Sequence, residues 1–241
     1  MIATIGKDCL RSLDQVLKAR NEMKAAGVSC LSNSLLTVLH RWRLHPGPVV
    51  GDWLKSWDVW QTIQTVRAEI RSDEAVVDFG AYGCEILPAL DRLGFTCLEG
   101  IDLDHRLGHM PGAGRIKYTT GNFLCSKLTD GSIAAITSIS VIEHGFDGQA
   151  LMREVARVLR LGGIFVASFD YWPTKIDTAG VKLFGLDWRI FSEAEVDDLI
   201  RVAAECGLEP LGGGDLTCAS PPIHWGGKDY TFGWLALRKV R

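Results

Sequence analysis

Residues 75–85 read Ala75-Val-Val-Asp-Phe-Gly-Ala-Tyr-Gly-Cys-Glu85, and residues 100–102 read Gly100-Ile-Asp102. The first stretch is an apolar run followed by a glycine turn, which is typical of a buried strand that leads into a helix. The second stretch ends on a carboxylate, 24 residues after Asp78. In nucleoside-binding half-domains a carboxylate at this place accepts hydrogen bonds from both ribose hydroxyls. The two stretches therefore predict a nucleoside-binding unit.

The turn distinguishes among the cofactors that carry such a ribose, which are NAD, FAD and S-adenosylmethionine. A pyrophosphate needs closely spaced glycines and a bare helix N-terminus. This turn instead places Tyr82 between Gly80 and Gly83, and Glu85 follows directly. Because a carboxylate at the start of a helix repels a phosphate, we interpret the acidic turn as better suited to a cationic ligand.

Composition excludes several classes of protein. The chain has 241 residues, of which 47% are hydrophobic, enough for one full core. A net charge of -3 provides no positive field, so no nucleic-acid partner is expected. The seven cysteines form no C-x-x-C pair, which argues against a disulfide framework or a zinc site and indicates a reducing, cytoplasmic location. No run approaches the roughly 18 apolar residues of a membrane span. We expect no membrane span and no metal.

The first part of the chain has a helical pattern. Apolar residues recur at helical spacing between residues 8 and 45, which predicts two helices, and Pro46-Gly-Pro48 interrupts the pattern. A longer helix follows, with a stripe formed by Trp53, Trp57 and Trp60. Such a stripe packs against a core in most proteins, but it could also form a lid in which Trp57 contacts a substrate. We predict a helical extension or lid over 1–72 and a catalytic domain over 73–241.

From residue 75 onward, short apolar runs alternate with amphipathic stretches, the pattern of strands joined by crossover helices. The loop between residues 213 and 229 is too short for a crossover helix, so the last strand should run antiparallel. The predicted class is α/β, a Rossmann-like sheet of seven strands. The predicted strands are 75–79, 95–101, 115–119, 133–139, 163–169, 208–212 and 231–239, and the predicted helices are 85–93, 147–160 and 192–206.

Three further segments show a family resemblance. They are Gly121-Asn-Phe123, the run that ends in Ser140-Val-Ile-Glu-His144, and Arg157-Val-Leu-Arg-Leu-Gly-Gly163. With the glycine turn and the Gly-Ile-Asp strand, their order and spacing resemble class I S-adenosylmethionine-dependent methyltransferases, in the branch that acts on small molecules. The resemblance covers residues 75–210 in detail and the last strand in outline. It implies S-adenosylmethionine as the cofactor.

The resemblance also implies a set of binding residues. Asp102 would bind the ribose hydroxyls, and Asn122 would accept a hydrogen bond from the adenine amino group. The complete implied cofactor pocket consists of Asp78, Gly80, Ala81, Gly83, Asp102, Leu103, Asn122, Phe123, Ile139 and Ser140. This chain departs from the family's turn because Tyr82 and Cys84 occupy its second and third glycine positions. Their side chains would crowd the cofactor unless the turn is rearranged.

The acceptor should bind beyond the carboxyl ends of the strands, where open parallel sheets hold their ligands. Residues 170–191 are the candidate acceptor segment, in which Tyr171, Trp172 and Arg189 could contact the substrate. His144 is a candidate general base, because neutral imidazole takes up a proton near physiological pH. A histidine at this place can also serve only to order the turn.

The sequence therefore predicts transfer of a methyl group from S-adenosylmethionine to a hydroxyl, less readily an amine, of a small molecule or glycan intermediate. Alignment of the reactants would contribute most of the catalysis. Two alternatives stay open. One is an NAD-dependent oxidoreductase, which the single ribose carboxylate permits. The other is a catalytically degenerate protein that uses the methyltransferase fold for binding, for which Tyr82 and Cys84 are the main argument.

Overall fold

The computed structural model describes residues 5–32, 42, 48–145 and 147–241. One sheet dominates it, and its neighbouring strands follow the order β10-β1-β12-β6-β5-β2-β3-β4. The strands in chain order are β1 Ile5–Cys9, β2 Val76–Phe79, β3 Leu98–Asp102, β4 Lys117–Thr120, β5 Ile133–Ile139, β6 Leu159–Tyr171, β7 Lys182–Leu183, β8 Leu186–Asp187, β9 Leu208–Pro210, β10 Gly213–Gly214, β11 Ile223–Trp225 and β12 Lys228–Lys239. The α-helices are α1 Leu13–Ala25, α2 Ser56–Glu69, α3 Ile86–Arg92, α4 Gly148–Val158 and α5 Glu193–Glu205.

The centre of the sheet has the predicted topology. Strands β4, β3, β2, β5 and β6 are mutually parallel, and β12 pairs antiparallel with β6. Each predicted strand overlaps an observed one, and the predicted Rossmann-like class with an antiparallel last strand is confirmed. The predicted count of seven strands is too low, because the described part of the sheet has ten. The carboxyl ends of β2, β3, β5 and β6 lie at one edge of the sheet, where such folds bind ligands.

Both faces of the sheet are covered, which explains why its strands are apolar throughout. Successive residues of β12 alternate between two buried clusters: Trp234 packs with α1, α2 and α3, whereas Leu235 packs with α4 and α5. Helix α5 begins with a capping box, in which the Ser192 backbone N–H donates to the Glu195 carboxylate at 2.8 Å.

The first segment differs from the predicted helical extension in one respect. Strand β1 pairs antiparallel with β12 and therefore extends the main sheet. This strand was not predicted because its five residues, Ile-Gly-Lys-Asp-Cys, lack a clear apolar alternation. Helix α1 confirms the first predicted helix, and the second one, around residues 35–42, falls almost entirely outside the described residues. The domain boundary near residue 72 stays a prediction, although α1 and α2 share a core with the sheet.

Candidate active site

The glycine turn lies between β2 and α3. Gly80 has φ +79° and Gly83 has φ +76°, the left-handed region that favours glycine. Gly80 is also required by space, because a Cβ there would lie 2.2 Å from Cγ2 of Val141. The turn is therefore in direct contact with the loop that follows β5.

Asp102 joins the end of β3 to this turn. Its Oδ2 accepts a hydrogen bond from the backbone N–H of Tyr82 at 2.9 Å, and its Oδ1 accepts one from the N–H of Asp104 at 2.8 Å. The carboxylate is only partly buried. Because each carboxylate oxygen has a second acceptor position, both can still accept hydrogen bonds from a ribose.

The two side chains at the glycine positions have partners of their own. The Tyr82 ring lies against the guanidinium of Arg106, 4.7 Å from the ring centroid, and Arg106 in turn pairs with Asp104. The Cys84 thiol lies beside the Asp78 carboxyl, and burial raises the pKa of this thiol well above its usual range. The turn thus keeps its two left-handed glycines and accommodates both side chains within the protein.

The acidity of the turn is compensated from the first segment of the chain. Arg20 of α1 forms a bidentate ion pair with Glu85, with nitrogen-to-oxygen distances of 2.6 and 2.9 Å, and both residues are buried. The Cys30 backbone N–H also donates to this carboxylate. Glu85 is therefore neutralised internally, and our interpretation that its charge selects a cationic ligand is wrong. A local sequence pattern did not reveal a partner 65 residues away.

Asp78 lies below the turn and is fully buried. Its Oδ1 accepts a hydrogen bond from the Thr137 hydroxyl at 2.6 Å, while its Oδ2 has no hydrogen-bond partner. Burial raises the pKa of Asp78 to about 7. The folded protein therefore retains this proton between the ordinary pKa of 3.8 and about 7, where the unfolded chain has lost it.

Stability should consequently fall as pH rises through that window, because the folded state binds more protons there than the unfolded state. Asp78 should add a slope that approaches about 1.4 kcal/mol per pH unit. We expect Asp78→Asn, which keeps an acceptor for Thr137, to show a shallower decline between pH 4 and pH 7. Urea unfolding at several pH values measures this, and parallel curves for the two proteins would contradict it.

Charged groups from three parts of the chain meet at the carboxyl ends of β5 and β6. We call Lys55, Asp58, Glu143 and Asp170 the acceptor-side cluster. The Lys55 ammonium lies 3.6 Å from Asp170 and 3.2 Å from the ring centroid of Phe232. Cation–π contact and ion pairing together hold Lys55 at this place.

The three carboxyl groups of the cluster differ in their partners. Asp170 accepts a hydrogen bond from the Trp188 indole N–H at 2.8 Å, and Asp58 accepts one from the Ser168 hydroxyl at 2.7 Å. Glu143 is 1% exposed, and its Oε2 has no hydrogen-bond partner. Burial raises the pKa of Asp58 to about 6 and that of Glu143 well above its usual range, the latter helped by Asp170.

His144 follows Glu143 and is less enclosed. Its ring makes an edge contact with Phe184 at 5.5 Å between centroids, and its Nδ1 is buried without a hydrogen-bond partner. Burial lowers the pKa of His144, so its imidazole is neutral near pH 7. His144 therefore lies near the acceptor-side cluster, and its lowered pKa favours the neutral imidazole that a general base requires. Its role as a base stays a prediction.

The residues predicted for the adenine side follow β3 and β4. The Phe123 ring stacks on Phe79 of β2, with centroids 5.0 Å apart. The Asn122 side-chain oxygen accepts from the Leu124 backbone N–H at 2.9 Å and can accept a second hydrogen bond. Leu103 is 61% exposed at the rim. Their cofactor roles stay predictions.

The residues predicted for the methionine part lie between the turn and β5. Ala81 and Ile139 are buried, and Ser140 has φ +53°, unusual for a residue other than glycine. The Ser140 hydroxyl oxygen is buried and has no hydrogen-bond partner. A buried polar atom without a protein partner is costly unless another group supplies the hydrogen bond, so the Ser140 hydroxyl fits the predicted contact with a polar ligand.

The predicted acceptor residues do not form one group. Trp57 is buried in the cluster on the α2 side of the sheet, whereas Tyr171 is buried in the cluster on the opposite side. Trp172 is partly buried, and the Arg189 guanidinium lies 3.9 Å from Glu195 of α5. Their substrate roles stay predictions. Tyr230 and Phe232 lie next to the acceptor-side cluster. The sequence did not identify them as site residues, because they belong to an apolar terminal strand.

Comparison with known proteins agrees with this geometry. Residues 77–167 match the family model described as a methyltransferase domain. A geranyl diphosphate C-methyltransferase from Streptomyces coelicolor A3(2), solved with Mg²⁺, geranyl diphosphate and S-adenosyl-L-homocysteine, is 17% identical. The match covers 74% of this chain and 78% of that chain, with a TM-score of 0.51. No curated protein sequence matches the chain.

Two other solved structures show how widely the fold is used. An S-adenosylmethionine-dependent methyltransferase from Methanosarcina mazei is 16% identical over 73% of this chain and 96% of its own, with a TM-score of 0.54. The [4+2]-cyclase SpnF is 13% identical over 92% of this chain and 97% of its own, with a TM-score of 0.53.

The fold is that of the class I S-adenosylmethionine-dependent methyltransferases, and residues 77–167 carry the sequence signature of a methyltransferase domain. The resemblance predicted from the motifs is confirmed. The matches also support S-adenosylmethionine as the cofactor. Among the described residues, no helix is long and apolar enough to cross a membrane, and no group of three or more His, Cys, Asp or Glu side chains is placed to hold a metal ion.

Proposed function

We propose that this protein transfers the methyl group of S-adenosylmethionine to a hydroxyl, or less readily an amine, of a small molecule or glycan intermediate. The observation that carries the proposal is Asp102, a partly exposed carboxylate held against the glycine turn by the Tyr82 N–H. The unpartnered Ser140 hydroxyl, next to the turn through its neighbour Val141, offers a second polar contact. Asp102 would bind the ribose, and the turn with Ser140 would bind the methionine part.

Contacts made by the first segment of the chain support the prediction that it forms a lid over the cofactor pocket. The Gly51 backbone N–H donates to the Gly83 carbonyl at 2.7 Å, and the Lys55 ammonium reaches the acceptor-side cluster. Residues 48–55 therefore contact both the cofactor turn and the acceptor side. Holding nucleophile and methyl carbon in line contributes about 7 to 11 kcal/mol to lowering a barrier of this kind. Exclusion of water by such a lid would add to that alignment.

Asp102→Asn is expected to weaken S-adenosylmethionine binding by about tenfold to a hundredfold, because hydrogen bonds to a charged group contribute about 1.5 to 3 kcal/mol. Asparagine keeps an acceptor for one of the two backbone N–H groups, so the fold should survive. Titration calorimetry with S-adenosylmethionine and with S-adenosylhomocysteine measures the change. The matched control is Glu99→Gln on the same strand, whose carboxylate pairs with Lys117 instead.

Calorimetry with NAD and assays of methyl transfer test the two alternatives. Micromolar NAD binding without S-adenosylmethionine binding would favour an oxidoreductase and contradict the proposal. Tight cofactor binding without methyl transfer to any of a panel of sugars, phenols and amines would favour the degenerate binding protein. The cyclase with this fold shows why turnover must be measured directly.

A further inference from the structure

Glu143 is a buried acid with unused hydrogen-bonding capacity. Its side chain is 1% exposed, yet Oε2 has no partner. Buried polar atoms are nearly always paired, and an exception calls for a functional explanation. The other two carboxyl groups of the acceptor-side cluster, Asp58 and Asp170, each accept a side-chain hydrogen bond. Glu143 is thus the member of the cluster that is left to interact with a ligand.

The backbone around Glu143 links the two halves of the predicted site. On one side, Val141 packs against Gly80 of the cofactor turn. On the other side, the Glu143 carbonyl accepts from the Arg189 backbone N–H at 2.9 Å, and His144 forms a β-bridge with Trp188 of the acceptor segment. The backbone at Glu143 therefore lies between the cofactor turn and the segment predicted to hold the acceptor.

Several charged or titratable groups face Glu143. Burial raises the pKa of Glu143, Asp170 of β6 and Asp58 of α2 raise it further, and Lys55 opposes them. The Tyr230 hydroxyl of β12 lies nearby, and its pKa is raised by burial first and then by Asp170 and Glu143. His144 is adjacent in sequence. Because Lys55 already pairs with Asp170, the cluster holds more acidic groups than cations. Burial and these neighbouring carboxyl groups therefore favour the protonated form of Glu143 as long as no additional cation is present.

We propose that Glu143 is the base that receives the acceptor's proton, and that it ionises when the positively charged sulfonium of S-adenosylmethionine is bound beside it. This inference rests on the proposed function. In the transfer, the oxygen or nitrogen of the acceptor forms a bond to the methyl carbon. The carbon–sulfur bond breaks with its electron pair going to sulfur, and the proton of the acceptor moves to Glu143. The base is thus active only when the methyl donor is in place.

Proton release on cofactor binding tests the ionisation without any acceptor. Calorimetric titrations at pH 7 in buffers of different ionisation enthalpy give the number of protons released. We expect wild type to release up to about one more proton with S-adenosylmethionine than Glu143→Gln does, and S-adenosylhomocysteine, which lacks the sulfonium charge, to show no such difference. The matched control is Glu154→Gln, a buried carboxyl on α4 that already accepts from Ser126 and Arg157 and should behave as wild type.

The outcomes separate the inference from the function on which it rests. If wild type does not bind S-adenosylmethionine, the proposed function fails. If it binds and Glu143→Gln releases as many protons as wild type, the proposed function stands and the role of Glu143 is overturned.

Kinetics with an acceptor found in the panel then tests proton transfer itself. Glu143→Gln should lower kcat by about 10² to 10⁴ and flatten its rise with pH, without a matching change in cofactor affinity. His144→Asn distinguishes the rival base predicted from the sequence. If the pH dependence disappears in His144→Asn and persists in Glu143→Gln, the proton goes to His144 and the inference is wrong.

Discussion

Arg20→Met is expected to lower the free energy of unfolding by about 3 to 5 kcal/mol, because it leaves the buried Glu85 carboxylate without its cation. Both side chains are almost fully enclosed, and the pair is bidentate. The substitution should also weaken cofactor binding, because Glu85 follows the glycine turn and directly precedes α3. We expect weaker S-adenosylmethionine binding together with a lower midpoint in urea.

The double variant Arg20→Met/Glu85→Met provides the control. Replacing both members of a buried ion pair by apolar side chains removes the uncompensated charge and is often neutral or stabilising. The double variant should therefore be markedly more stable than Arg20→Met alone. A single variant that loses less than about 1 kcal/mol would show that water or another cation compensates Glu85, contrary to the geometry described.

Gly80→Ala is expected to destabilise the fold by about 2 to 5 kcal/mol and to abolish cofactor binding. Two costs combine: the left-handed conformation disfavours a Cβ by about 1 to 2 kcal/mol, and overpacking against Val141 adds about 1 to 3 kcal/mol. The added carbon would lie 2.2 Å from Val141, so the turn or the loop after β5 must move. Urea unfolding and calorimetry with S-adenosylmethionine measure the two effects.

Gly94→Ala isolates the conformational part. Gly94 has φ +85°, and no atom lies within 4 Å of its added Cβ. The free energy of unfolding of this variant should therefore fall only by the conformational cost of about 1 to 2 kcal/mol. Gly80→Ala/Val141→Ala should recover most of the steric part. If Gly80→Ala and Gly94→Ala lower the free energy of unfolding equally, the close approach of Gly80 and Val141 does not contribute to the cost of the substitution.

Much of the central fold was predictable because it depends on local periodicity. Alternating apolar runs and amphipathic stretches located the strands of the parallel sheet, and the short loop before β12 predicted its antiparallel direction. Strand β1 escaped prediction because a five-residue strand that contains glycine, lysine and aspartate has no distinctive pattern. It becomes a strand because β12 and β10 pair with it on either side.

The sequence by itself determined the local elements that carry the predicted cofactor side of this protein. A glycine turn, a carboxylate 24 residues beyond Asp78 and three downstream motifs are local signals, since the turn and the strand end follow from the conformations that those residues prefer. Only the tertiary structure decided which charges are compensated and which are left unpaired. Arg20 neutralises Glu85 across 65 residues, and Ser168 engages Asp58 across 110, whereas Glu143 is buried without such a partner. Burial and long-range pairing arise from packing, and no spacing in the chain encodes them directly.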